Sequence, residues 1–152
     1  MTSTTTRPPM AERATAASRG TAGIQWNDPA TQAFWLLRIG FVVAPILFGL
    51  DKFAHVLVNW DRYLAPQFAD ALPWTTHQLM YAVGVIEVVA GIVVALRPRF
   101  GGYLVAAWLG AIIVNLLMQA DYYDIALRDF GLLLGALTLA RLASAFRPGL
   151  AR

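Results

Sequence analysis

After a polar leading stretch the chain falls into four apolar runs separated by short polar breaks. The runs cover about 33–52, 76–96, 100–119 and 125–146. Each is about 20 residues long, and at a rise of ~1.5 Å per residue each predicts a helix able to cross the ~30 Å hydrocarbon core of a bilayer. The breaks carry helix punctuation. Asn27 or Asp28 followed by Pro29 predicts a helix start. Arg97-Pro98-Arg99 is a short basic turn, Gly101-Gly102 opens the third run, and Asp121-Tyr122-Tyr123-Asp124 is a short acidic turn. The one longer connection, residues 53–75, interleaves Trp60, Tyr63, Phe68 and Trp74 with Asp61, Arg62 and Asp70. That mixture suits an interfacial loop at headgroup depth. Its beginning can prolong the first helix to about Trp60, and a short helix fits Gln67 to Ala71, before Pro73. The pattern predicts an all-α integral membrane four-helix bundle, up-down-up-down. Residues 1–30 form a disordered N-terminal tail and 31–147 the four-span domain.

Composition agrees. The chain has 152 residues, one domain by length, with 58% hydrophobic and only 14% charged residues. Soluble domains carry about 25% charged residues. The net charge of +3 is not gathered on one folded face, so it does not point to nucleic acid. It follows membrane topology instead. Eight of the twelve Lys and Arg lie in the two tails, at Arg141 near the end of the fourth run, and in the Arg97–Arg99 turn; the opposite side holds Lys52, Arg62 and Arg128. The positive-inside rule then puts both termini in the cytoplasm and the 53–75 loop outside, in a cell inner (plasma) membrane. The absence of cysteine excludes disulfides, thiolate catalysis and cysteine-held metal clusters.

The polar residues inside the apolar runs are the candidate chemistry. Glu87 sits at the middle of the second run, with Gly84 three residues before it and Gly91 four after, on one helical face. Small residues there admit a neighbouring helix, which would shield the carboxyl from lipid. Arg38, Pro45 and Lys52 recur every seven residues in the first run and share a face directed into the bundle. Counting depth from the span centres leaves Arg38 about 8 Å from the level of Glu87. That predicts an Arg38–Glu87 ion pair, either fixing helix register or forming a site for a proton, a quinone or another small ligand. A second polar layer, Asp51, Lys52, Asn115, Arg128 and Asp129, is expected nearer the outer face as a solvated rim. His55 and His77 flank the long loop and are the only histidines. Because they sit at helix ends, they are weak candidates for haem or metal, and interfacial histidines are the plainer expectation. Gly131 and Gly135 make a GxxxG in the fourth run, a helix-packing motif that apolar helices also carry by chance.

The chain resembles the DoxX-like family of small four-span membrane proteins over about residues 33–145. The carriers are LLRIGFVVAPILFGLDKF (Arg38, Gly49, Lys52, Phe53), GVIEVVAGIVVAL (Gly84, Glu87, Gly91) and RDFGLLLGALTL at the opening of the fourth run. The resemblance implies an accessory or quinone-linked subunit of a membrane redox or respiratory system, with Arg38, Lys52 and Glu87 lining a quinone-sized cavity. The absence of cysteine argues against this chain carrying redox chemistry alone, so any electrons would come through a partner. Its expected partners are the lipid bilayer and either another membrane protein or further copies of itself. The alternative is a small transporter or proton-conducting protein with Glu87 as the titrating group. No nucleophile–base set or metal-ligand spacing argues for an enzyme.

Overall fold

The computed structural model describes residues 27–71 and 73–146. Among the described residues there is no strand. The helices are α1 (Pro29–Ala54), the short α2 (Pro66–Ala71), α3 (Thr76–Leu96), α4 (Pro98–Gln119) and α5 (Tyr123–Ala145), with a 3-10 turn at Trp60–Tyr63. Most of the tail expected over residues 1–30 lies outside the described residues. So do most of the terminal arginines that carried the orientation argument.

The ends of these helices follow from local sequence. Asp28 caps α1, its carboxylate accepting from the Thr31 N–H at 3.0 Å, and Pro29 fills the first helical position, where no N–H is needed. The far end of α1 stops at Ala54 rather than running on to Trp60. There His55 turns left-handed, with φ 52°, and its N–H closes on the Asp51 carbonyl. Thr75 and Gln78 make a reciprocal capping box at the start of α3. A single residue, Arg97, joins α3 to α4, with Pro98 opening the new helix. Gly101 lies directly against the backbone of Val94 across that turn, so the reversal has no room for a side chain there.

Helix α1 packs most extensively on α3, and α4 on α5; α3 with α4 and α1 with α5 close the arrangement. The α1–α3 seam is the tightest. A Cβ on Gly49 would lie 2.6 Å from the Gly84 carbonyl oxygen, and one on Gly84 would lie 2.8 Å from that of Gly49. Gly91 meets Val42 and Ile46 in the same way. The expected glycine face of α3 is thus real, and α1 is what it receives. The GxxxG behaves differently. Gly135 packs against Phe41, while nothing lies within 4 Å of a Cβ on Gly131.

Helices α1, α3 and α4 are each long and apolar enough to cross a membrane. Their outward residues are apolar as well, with Leu36 73% and Leu96 71% exposed. An exposed apolar surface of this extent is one that a bilayer covers, and the chain is read as a membrane protein. Helix α5 has the length but carries Asp124, Arg128, Asp129 and Arg141. The buried core (Phe34, Phe41, Val94, Val105, Leu139 and their neighbours) fills the end of the molecule nearest the Arg97–Arg99 turn.

Candidate functional site

The other end is hollow. A cavity of about 640 Å³ lies between α1, α3, α4, α5 and the loop. Its wall is mostly apolar and aromatic, with Trp60, Tyr63, Phe68, Trp74 and Trp108 among the lining residues. Its polar groups are Lys52, Glu87, Asn115, Arg128 and Asp129.

Lys52 and Glu87 form its centre. Lys52 Nζ donates to Glu87 Oε2 at 2.6 Å, and the two side chains are only 4% and 11% exposed. The ammonium also stands 3.9 Å from the centroid of the Trp60 ring, close enough for cation–π attraction. Asp129 interacts electrostatically with the same ammonium from α5. The Trp108 indole lies close enough to interact with the Glu87 carboxyl. Its buried N–H nevertheless has no acceptor in good hydrogen-bond geometry among the described residues. Two carboxylates, one ammonium and one unsatisfied N–H therefore face one apolar chamber.

Arg38 is not the partner of Glu87. Its guanidinium donates to the Ala95 carbonyl near the end of α3 and lies over the Trp35 ring at 4.9 Å and the Phe34 ring at 5.9 Å. The reason is register. Counting from span centres treats neighbouring helices as if their midpoints were level. The Gly49–Gly84 contact sets the offset instead and brings Glu87 level with Gly49 and Lys52. Arg38 is about three helical turns further along α1, roughly 16 Å away. Of the trio expected to line a cavity, Lys52 and Glu87 do and Arg38 does not.

The outer polar layer is also not a simple rim. Asp51 and Lys52 are both buried, on different errands. Asp51 turns away from the cavity and holds the loop. Its Oδ1 accepts from the Val56 and Leu57 N–H groups at 3.0 Å each, and its Oδ2 from Trp60 Nε1 at 2.6 Å. Asn115 holds the same loop from α4, accepting from the Ala65 N–H at 2.9 Å and donating to the Tyr63 carbonyl. Arg128 is the rim residue, 75% exposed and 3.3 Å from Asp124 one turn back. Asp129, its neighbour, is half-buried and faces inward.

Sequence reasoning missed two contributors. Trp60, expected as an interfacial aromatic, and Trp108, within the third apolar run, both touch the charged pair. Among Phe, Tyr and Trp only the indole carries an N–H donor, a signal that Trp108 within a span did offer. The histidines, separated by the whole loop, come together: the rings of His55 and His77 stack with centroids 5.1 Å apart.

The chain matches no family model, no curated protein and no solved structure.

Proposed function

We propose that this chain is a small four-span membrane protein of the DoxX-like type, both termini cytoplasmic and the loop outside. It binds an amphipathic small molecule of the quinone class in the hollow end as an accessory subunit of a membrane redox complex, without catalysis of its own. The observation that carries the reading is the chamber itself: a few polar groups converge inside an aromatic wall. Small-molecule sites have that make-up, with volumes of roughly 300–1,000 Å³. A quinone ring carries carbonyl oxygens that accept hydrogen bonds, and Lys52 Nζ and Trp108 Nε1 are donors at the chamber's centre. Its isoprenoid tail would leave between apolar helices into lipid. The fourth crossing, α5, has its charges within this picture: Arg128 at the water rim and Asp129 toward Lys52.

The test is binding of a short-chain quinone to the purified protein in detergent, read by quenching of tryptophan emission. The expected result is saturable quenching that is lost in the Lys52→Met/Glu87→Gln double variant and reduced in Trp108→Phe. Equal quenching in the wild type and the double variant would remove the reading.

One observation favours a second reading, proton movement. Glu87 and Asp129 share a single ammonium, so a proton can pass between carboxyls with little change in net charge. A liposome flux assay separates the two readings. Proton flux that falls in Glu87→Gln supports conduction, and equal flux removes it.

A further inference from the structure

On the loop side, apart from the chamber, three side chains from three separate segments converge. His55 follows the left-handed end of α1, Asp61 belongs to the 3-10 turn, and His77 lies in the first turn of α3. One ligating atom from each lies within 4.8 Å of the other two. We propose that His55, Asp61 and His77 form a binding site for a divalent transition ion of the zinc class, with water completing the coordination.

The ligand chemistry is right for such an ion. Two imidazoles and one carboxylate are borderline donors that suit Zn²⁺ and leave one coordination position open. The closest pair already has the needed spacing. His77 Nδ1 and Asp61 Oδ2 are 3.2 Å apart, and adjacent ligands of a tetrahedral ion with bonds of about 2.0–2.1 Å stand roughly 3.3 Å apart. His55 is exposed, which leaves its ring room to turn toward the other two.

The second nitrogens strengthen the case. Metal-binding histidines usually engage the other ring nitrogen with an oxygen, which fixes tautomer and orientation. Both histidines do so here. His55 Nδ1 contacts the Phe53 carbonyl at 3.3 Å, leaving Nε2 for an ion. His77 Nε2 contacts the Tyr81 hydroxyl at 2.8 Å, leaving Nδ1 toward Asp61. The two rings stack, 14° between planes; an ion lies in the plane of each imidazole it binds, so the His55 ring must turn out of the stack to reach it.

The site has a consequence for the loop. Asp61 adjoins Trp60, whose ring covers Lys52. An ion joining Asp61 to His77 would tie the 3-10 turn to α3 and hold that cover in place. The inference stands on these side chains alone and does not depend on what occupies the chamber.

The chain makes a clean test, having no cysteine and no other histidine. Tag-free full-length protein in detergent is titrated with Zn²⁺ by calorimetry, with Mg²⁺ as the hard-ion comparison. The expected result is one Zn²⁺ per chain, no Mg²⁺ binding at the same concentrations, and slower amide exchange over residues 55–64 when zinc is present. His55→Asn keeps the left-handed backbone, which Asn tolerates. It and His77→Gln, each removing a ligand, should each weaken zinc binding by at least the roughly 10–100-fold typical of losing a mere hydrogen-bond partner of a ligand. Circular dichroism and a monodisperse elution profile show that each variant is folded. Zinc binding of unchanged affinity in the folded His55→Asn/His77→Gln double variant would overturn the proposal. So would a folded wild-type protein that takes up no zinc.

Discussion

The two ends of this molecule treat a buried cation in opposite ways. At the end nearest the Arg97–Arg99 turn the interior is filled, and Arg38 is held by a backbone carbonyl and two aromatic faces. At the loop end the interior is hollow, and Lys52 is held by a carboxylate with a second carboxylate nearby. Arg38 is half-buried, about two and a half turns inside α1; Lys52, in the last turn of the same helix, is almost wholly enclosed. A guanidinium with five donors and a flat face can be satisfied by carbonyls and rings. A compact ammonium deep in an apolar wall needs an opposite charge. The difference separates a residue that closes the packing from one that equips a chamber.

The contrast is sharpest in Lys52→Met, which strands the Glu87 carboxyl. Breaking a buried pair on one side costs about 3–5 kcal/mol, and the double variant Lys52→Met/Glu87→Leu should recover most of it. Reversible unfolding in mixed micelles measures both. Arg38→Met, losing one hydrogen bond and a ring contact, should cost about 1–2 kcal/mol in the same assay. Equal losses at Lys52 and Arg38 would erase the distinction between the two ends. Gly84→Ala comes next. Its methyl would meet the Gly49 carbonyl oxygen, so the helices must part, at about 1–3 kcal/mol. Asn115→Ala removes two hydrogen bonds to the loop and should cost about 1–2 kcal/mol. Its signature is local: faster amide exchange over 56–68 with the filled end unchanged. The smallest effect is Gly131→Ala, where a methyl meets open space. Relief of glycine's conformational cost should stabilise α5 by less than about 1 kcal/mol.

Much of this was legible in the residues. The apolar runs located all four long helices to within a few residues, and Asp28-Pro29 gave the start of α1. That Glu87 faces protein followed from Gly84 and Gly91 on its face. Its partner was not legible, because a helix's sequence gives the face a residue occupies but not the offset between neighbouring helices. Gly49 opposite Gly84 sets that offset, and only their contact reveals it. The wall of the chamber was hidden for a related reason. Asn115 reaches Tyr63 and Ala65 across about fifty residues of chain, and no local pattern announces such a bond. The same holds for His55 and His77, which look like two isolated loop-flanking residues until the turn at the end of α1 brings their rings into a stack.

The meeting of Gly49 and Gly84 has a mechanical outcome. Backbones in contact leave no slack for shear: sliding α1 past α3 by one turn would drive Phe53 or Val88 into the slot that two hydrogens now occupy. The pair therefore moves as one strut, with the ammonium and carboxylate riding at fixed separation upon it. If the hollow takes a ligand as proposed, its entry would fall to the parts not keyed in this way, the loop carrying Trp60 and the charged first half of α5.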